Sequence, residues 1–201
     1  MFHSMESVVL LKFKMLARLC IFTFIFLMVF PYSSCSEGSL LEDMFFQRDW
    51  TGIDGILQKG QQNLTPREVS LLTNALWLQK KWDLALPLLI ENRQYLPPEL
   101  IPYQDMMIML ALERTGGSRE AYERALVLLD KSPKELVYYV YYALARLSTD
   151  IGRSPSKWYR LMLDQSDERD QRTVALKGIV GSGEASTNDC LELLNIEPLH
   201  A

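Results

Sequence analysis

The residue that does most enzymatic proton transfer is nearly missing from this chain, whose histidines, His3 and His200, sit at its two ends. A histidine base, a histidine-activated nucleophile or a His-rich metal cage therefore has no internal donor. Carboxylates remain, and glycan cleavage would need a pair of them, or one acid in a shaped pocket. Glu91, Asp105, Glu113 and Glu120 instead fall where solvated helix faces are expected. Cys190 has no histidine to activate it and reads as an inert thiol. GxSxG, HExxH and CxxC motifs do not occur, and Gly116-Gly117-Ser118 reads as a turn because no strand pattern precedes it. These residues predict no catalytic group, no cofactor and no metal, which points to a binding module rather than an enzyme.

The composition fits that expectation. The chain has 201 residues, 48% of them hydrophobic, with 21 Lys and Arg against 25 Asp and Glu, for a net charge of -4. That is enough apolar material for a core and too much for a disordered chain. Lys12, Lys14 and Arg18 face only Glu6 in the first 35 residues, so residues 36–201 carry about -6. This argues against nucleic acid as the main partner, because phosphate binding leans on clustered Lys and Arg.

The N-terminal segment reads as an address. Residues 19–30, LCIFTFIFLMVF, follow Lys12, Lys14 and Arg18 and stop at Pro31. A helix of that length covers about 18 Å, short of the roughly 30 Å hydrocarbon core but suited to a signal-peptide apolar region. Ser33 and Ser34 before Cys35 resemble the bacterial lipoprotein processing site, with Tyr32 standing where that family usually has an aliphatic residue. Lipidation of Cys35, plain secretion and an uncleaved anchor all stay open. So does a Cys35–Cys190 bridge in an oxidising compartment. The expected organisation is residues 1–35 as signal peptide and 36–201 as a single domain.

After Ser36 apolar residues recur at three- and four-residue spacing, without the alternation of strands. The spacing predicts helices over 39–48, 51–59, 66–80, 83–95, 99–115, 118–131, 134–150, 155–166, 169–181 and 187–195. Thr65-Pro66 supplies a capping hydroxyl and a first-turn proline, and Pro97-Pro98, Gly116-Gly117, Pro133 and Ser154-Pro155 supply the breaks. The pattern also repeats. Leu76, Ala85, Leu89 and Pro97 recur 36 residues later as Leu112, Ala121, Ala125 and Pro133, and Trp50, Ile53 and Leu57 precede Trp82, Ala85 and Leu89 by 32. A hairpin of short helices cannot bury its apolar face alone, so a stacked array is expected. Ala85 and Ala121 would sit at close helix crossings, and Leu86, Leu89, Leu126, Leu129, Trp82 and Trp158 would fill the core. The charged segment from Glu168 to Glu184 suits a solvent-facing cap.

Residues 74–97, NALWLQKKWDLALPLLIENRQYLP, resemble the tetratricopeptide repeat through Trp82, Ala85, Leu89 and Pro97. Residues 111–133 resemble it through Gly116, Ala121, Ala125 and Pro133, while Lys80, Asn92 and Ser118 depart from the family pattern at Gly, Ala and aromatic positions. Other helix-pair arrays, Sel1-like or HEAT-like, stay open. The resemblance implies an all-α superhelix, a solenoid of antiparallel helix hairpins, whose first helices line a groove that grips protein partners. Transferring the 36-residue period puts Ser70, Met106 and Tyr142 in one row of that groove, Asn74, Leu110 and Arg146 in a second, and Trp77, Glu113 and Thr149 in a third, with Tyr103 and Tyr139 opening the same faces. Trp77 and Met106 read equally as core between repeats, and the tyrosine run 138–142 as an aromatic seam. The family's carboxylate clamp is matched only by Asn74 and Arg146, so a reader of C-terminal carboxylates is not expected. The functional expectation is an exported, membrane-tethered adaptor or scaffold for protein–protein interaction in the bacterial envelope or periplasm, held by its N-terminal signal or a lipid on Cys35. The alternative is a helical accessory subunit of an envelope enzyme or of a secretion or assembly machine.

Overall fold

The computed structural model describes residues 40–59 and 64–197, and these are all-α. The predicted signal peptide, Cys35 included, lies outside the described residues. The α-helices are α1 (Leu40–Gln47), α2 (Trp50–Lys59), α3 (Pro66–Leu78), α4 (Trp82–Asn92), α5 (Ile101–Arg114), α6 (Ser118–Lys131), α7 (Lys134–Asp150), α8 (Ser156–Asp164), α9 (Arg169–Gly181) and α10 (Thr187–Ile196). The expected helices are all found, with ends displaced by a few residues. The main adjustment flanks Pro97-Pro98, where the chain passes through two 3-10 turns, Arg93–Tyr95 and Pro98–Leu100, before α5 begins.

Two compact units divide after Gly117. In the first, α1 packs on α2 and α3, α3 on α4, and α4 on α5; in the second, each helix from α6 to α10 packs on the next. Short turns between packed sequence neighbours make these antiparallel hairpins.

The period seen in the sequence has a structural counterpart at the ends of α1, α3, α5 and α7. Each helix stops on a residue in the left-handed region: Arg48 (φ 57°), Lys80 (φ 61°), Gly116 (φ 87°) and Gly152 (φ 74°). The next backbone N–H then reaches five residues back. Asp49 donates to the carbonyl of Met44 at 2.8 Å, Lys81 to Leu76 at 2.9 Å, Gly117 to Leu112 at 2.8 Å and Arg153 to Ser148 at 2.7 Å. This six-to-one closure satisfies carbonyls that the helix end would otherwise leave open. Lys80 thus adopts a backbone conformation that favours glycine.

Other local signals act as expected. Thr65 and Glu68 form a reciprocal capping box with Pro66 in the first turn of α3. Ser186 and Asp189 form the same box on α10. Ala85 and Ala121 are fully buried, as are Leu89 and, nearly, Trp158. The expected core needs one correction, since Leu126 is 38% exposed. Helix α6 turns Ala121, Tyr122, Ala125 and Leu128 inward, and Leu126 lies about 100° round the helix from Ala125. Leu86, Leu129 and Trp82 are half-buried.

The last helix is held differently. Its one buried residue is Asp189, with Leu193 and Ile196 half-buried, and ion pairs add to its attachment: Arg160 to Asp189 at 3.3 Å, Arg172 to Glu192 at 2.5 Å and Lys177 to Glu197 at 2.6 Å. Arg169 also donates to the carbonyl of Ile196.

Candidate interaction surface

The first helix of each pair carries the residues expected to meet a partner. On α3, Ser70 is buried; its hydroxyl donates to the carbonyl of Pro66 at 3.0 Å and accepts the side-chain amide of Asn92 at 2.8 Å. It therefore joins α3 to α4. Asn92, a buried amide, finds its partner in this pair. Further along α3, Asn74 and Trp77 are half-buried, and Trp77 meets Trp82 edge to face at 4.6 Å.

On α5, Met106 is fully buried, whereas Tyr103, Leu110 and Glu113 are half-buried. The helix is oriented by two polar contacts to the preceding segment. Gln104 donates to the carbonyl of Leu89 at 2.8 Å, and Arg93 grips Asp105 through two bonds of 2.6 and 3.0 Å. The hydrogen bond to Asp105 raises the Arg93 pKa above its ordinary value, against desolvation. Asp105 is thereby tied into a fork–fork ion pair.

In the second unit the tyrosine run splits around α7. Tyr138 and Tyr142 join Met162, Val174 and Ala175 in a buried cluster, against which Tyr139, Tyr141, Tyr159 and Leu163 pack. The Tyr138 hydroxyl donates to the carbonyl of Gln171 at 3.3 Å. Burial raises the pKa values of Tyr138, Tyr142 and Tyr159 above the usual phenol range, because the phenolate is the form that loses hydration. Arg146 lies with its guanidinium 5.4 Å from the centre of the Tyr142 ring, and burial lowers its pKa. Tyr139 and Arg146 are half-buried, and Thr149 is exposed.

A second aromatic group was not anticipated. Tyr141 stacks on Trp158 at 6.1 Å, Tyr122 meets Trp158 edge on, and the Trp158 indole donates to Ser148 at 3.1 Å. Arg153 and Lys157 lie over the rings of Tyr122 and Trp158 at 5.2 and 4.8 Å. Five residues of tyrosine and valine give no periodicity to sort Tyr141 from Tyr142, and only the positions of α8 and α6 do so.

Among the described residues no group of three or more His, Cys, Asp or Glu side chains is placed to hold a metal ion. Cys190 is an exposed thiol. No helix among the described residues is long and apolar enough to cross a membrane. Comparison with known proteins finds no matching family model, no matching curated protein and no matching solved structure.

Proposed function

We propose that the chain is a tetratricopeptide-like adaptor or scaffold, exported and membrane-tethered in a bacterial envelope, that binds other proteins through the first helix of each pair. The observation that carries this reading is the recurrence of one helix ending, left-handed residue and six-to-one bond together, after α1, α3, α5 and α7. Within a unit, hairpins that turn alike present the same helix face, and repeated faces suit an extended partner. In this reading Asn74, Trp77, Tyr103, Leu110, Glu113, Tyr139 and Arg146 make the contacts, because each keeps a partly exposed surface. Ser70, Met106 and Tyr142 support them from within. The half-exposed aromatics and arginine are the residue types that supply binding anchors.

The test is crosslinking in cells with tagged protein, read by mass spectrometry, beside a variant carrying Trp77→Ala, Tyr139→Ala and Arg146→Ala. Specific envelope proteins captured by the parent and lost in the variant support the reading. Partners retained in full by a folded variant refute this placement of the contact. The tether is tested separately by membrane fractionation and fatty-acid labelling of the parent and Cys35→Ser proteins; a soluble, unlabelled parent overturns it.

A further inference from the structure

A second surface lies on the outer side of α4. Ala85, Leu88, Leu89 and Asn92 face inward, while Asp83, Leu84, Pro87, Ile90, Glu91 and Gln94 are all exposed. At 100° per residue the six exposed positions fill an arc of about 120°. Leu84 and Ile90, 46% and 47% exposed, form its two edges, with Pro87 between them. Asp83 and Glu91 stand four residues to either side of Pro87, so the middle of the apolar stripe has a carboxylate one turn above and one turn below it.

The polar groups of this arc are strongly biased. Among the described residues neither the Asp83 nor the Glu91 side chain makes a hydrogen bond or an ion pair, although carboxylates elsewhere pair across helices, as Glu42 does with Arg67 and Asp54 with Lys81. Pro87 has no N–H, so the carbonyl of Asp83, four residues earlier, also lacks its helical donor. Two carboxylates and a carbonyl without its helical donor thus flank the apolar stripe, with no cation on the arc.

We propose that this face of α4 docks a cationic amphipathic helix of a partner protein. The partner's aliphatic stripe would cover Leu84, Pro87 and Ile90, and lysines or arginines along its edges would pair with Asp83, Glu91 and the Asp83 carbonyl. An anionic membrane surface is disfavoured by the same charges, which it would repel. A second copy through the same face is disfavoured because a two-fold axis would set carboxylate against carboxylate. This inference is independent of the groove on the first helices.

The probe is a fluorescein-labelled peptide of roughly 18 residues, with leucine on one helical face and lysine on its flanks, and a counterpart with glutamate for lysine. Anisotropy titrations with the full chain should show binding of the lysine peptide, weakened as salt rises from about 0.05 to about 0.3 M, and none of the glutamate peptide. Leu84→Ser with Ile90→Ser should weaken binding at least about tenfold, and Asp83→Asn with Glu91→Gln about threefold or more. All four positions are exposed, so the helical circular dichroism should stay unchanged. Equal binding of both peptides, or full binding by the folded Leu84→Ser, Ile90→Ser protein, overturns the proposal. Capture of the chain by anionic vesicles in preference to the lysine peptide, lost with the same substitutions, also overturns it in favour of a membrane surface.

Discussion

The Asn92 side chain donates to the Ser70 hydroxyl at 2.8 Å inside the α3–α4 hairpin, and each is almost fully buried. Ser70 retains a second bond, to the carbonyl of Pro66, whereas the Asn92 amide has this one partner among the hydrogen bonds of the hairpin. Ser70→Ala should therefore cost about 1–3 kcal/mol by stranding the amide. Removing both partners should cost less than the sum of the single changes, and urea unfolding of the two singles and the double variant measures the difference.

The helix ends offer a paired test of opposite sign. Lys80 holds φ 61° with a side chain, so Lys80→Gly should stabilise the protein by up to about 1 kcal/mol. Gly116 and Gly152 have open space where a Cβ would stand, so their replacement by alanine acts through backbone conformation alone. Each should lose about 1 kcal/mol, read as a lower midpoint in thermal unfolding.

These positions also show what a sequence discloses. Proline and glycine marked most helix boundaries, because each changes the backbone's allowed conformations wherever it stands. Lysine carries no such mark, so the left-handed turn at Lys80 was visible only through its 36-residue distance from Gly116. Helix periodicity fixes angle, so the face of its own helix on which each expected contact residue falls was legible. Depth was not legible: Met106 and Leu110 differ by one turn, yet Met106 is fully buried and Leu110 keeps an exposed edge. That difference is set by neighbouring helices distant in sequence, as is the Ser70–Asn92 pair.

Gly178 marks a close approach of another kind. A Cβ there would come within 2.5 Å of the Tyr159 ring, although α9 is regular at that point. Gly178→Ala should gain up to about 1 kcal/mol of helix propensity and lose more, about 1–3 kcal/mol, by displacing the ring. Net destabilisation with altered near-ultraviolet circular dichroism is the expected result.

Asp189 gives the acid dependence. The Ser186 backbone N–H, then the Ser186 hydroxyl and Arg160, lower its pKa below the ordinary carboxylate value. A depressed pKa contributes stability above the unfolded value and loses it as pH falls through the folded one. Asp189→Asn should thus lower the melting temperature at neutral pH, by an effect on the order of 1 kcal/mol, and the difference should fade below about pH 4.

The phenols give the alkaline counterpart. Tyr138, Tyr142 and Tyr159 hold their protons more tightly when folded. Their contribution to stability is complete below the usual phenol pKa of about 10 and falls as pH rises beyond it. Absorbance at the phenolate band should rise in two stages, the second coinciding with unfolding.

The ionic attachment of α10 makes the end of the chain a salt-sensitive latch. Pairs as exposed as Arg172–Glu192 and Lys177–Glu197 contribute little each and less as ionic strength rises. Detachment of α10 would uncover the apolar surface of α9 while the rest of the second unit stays folded. Rising ionic strength would then make that surface available more often, at an ionic strength too low to unfold the rest of the unit.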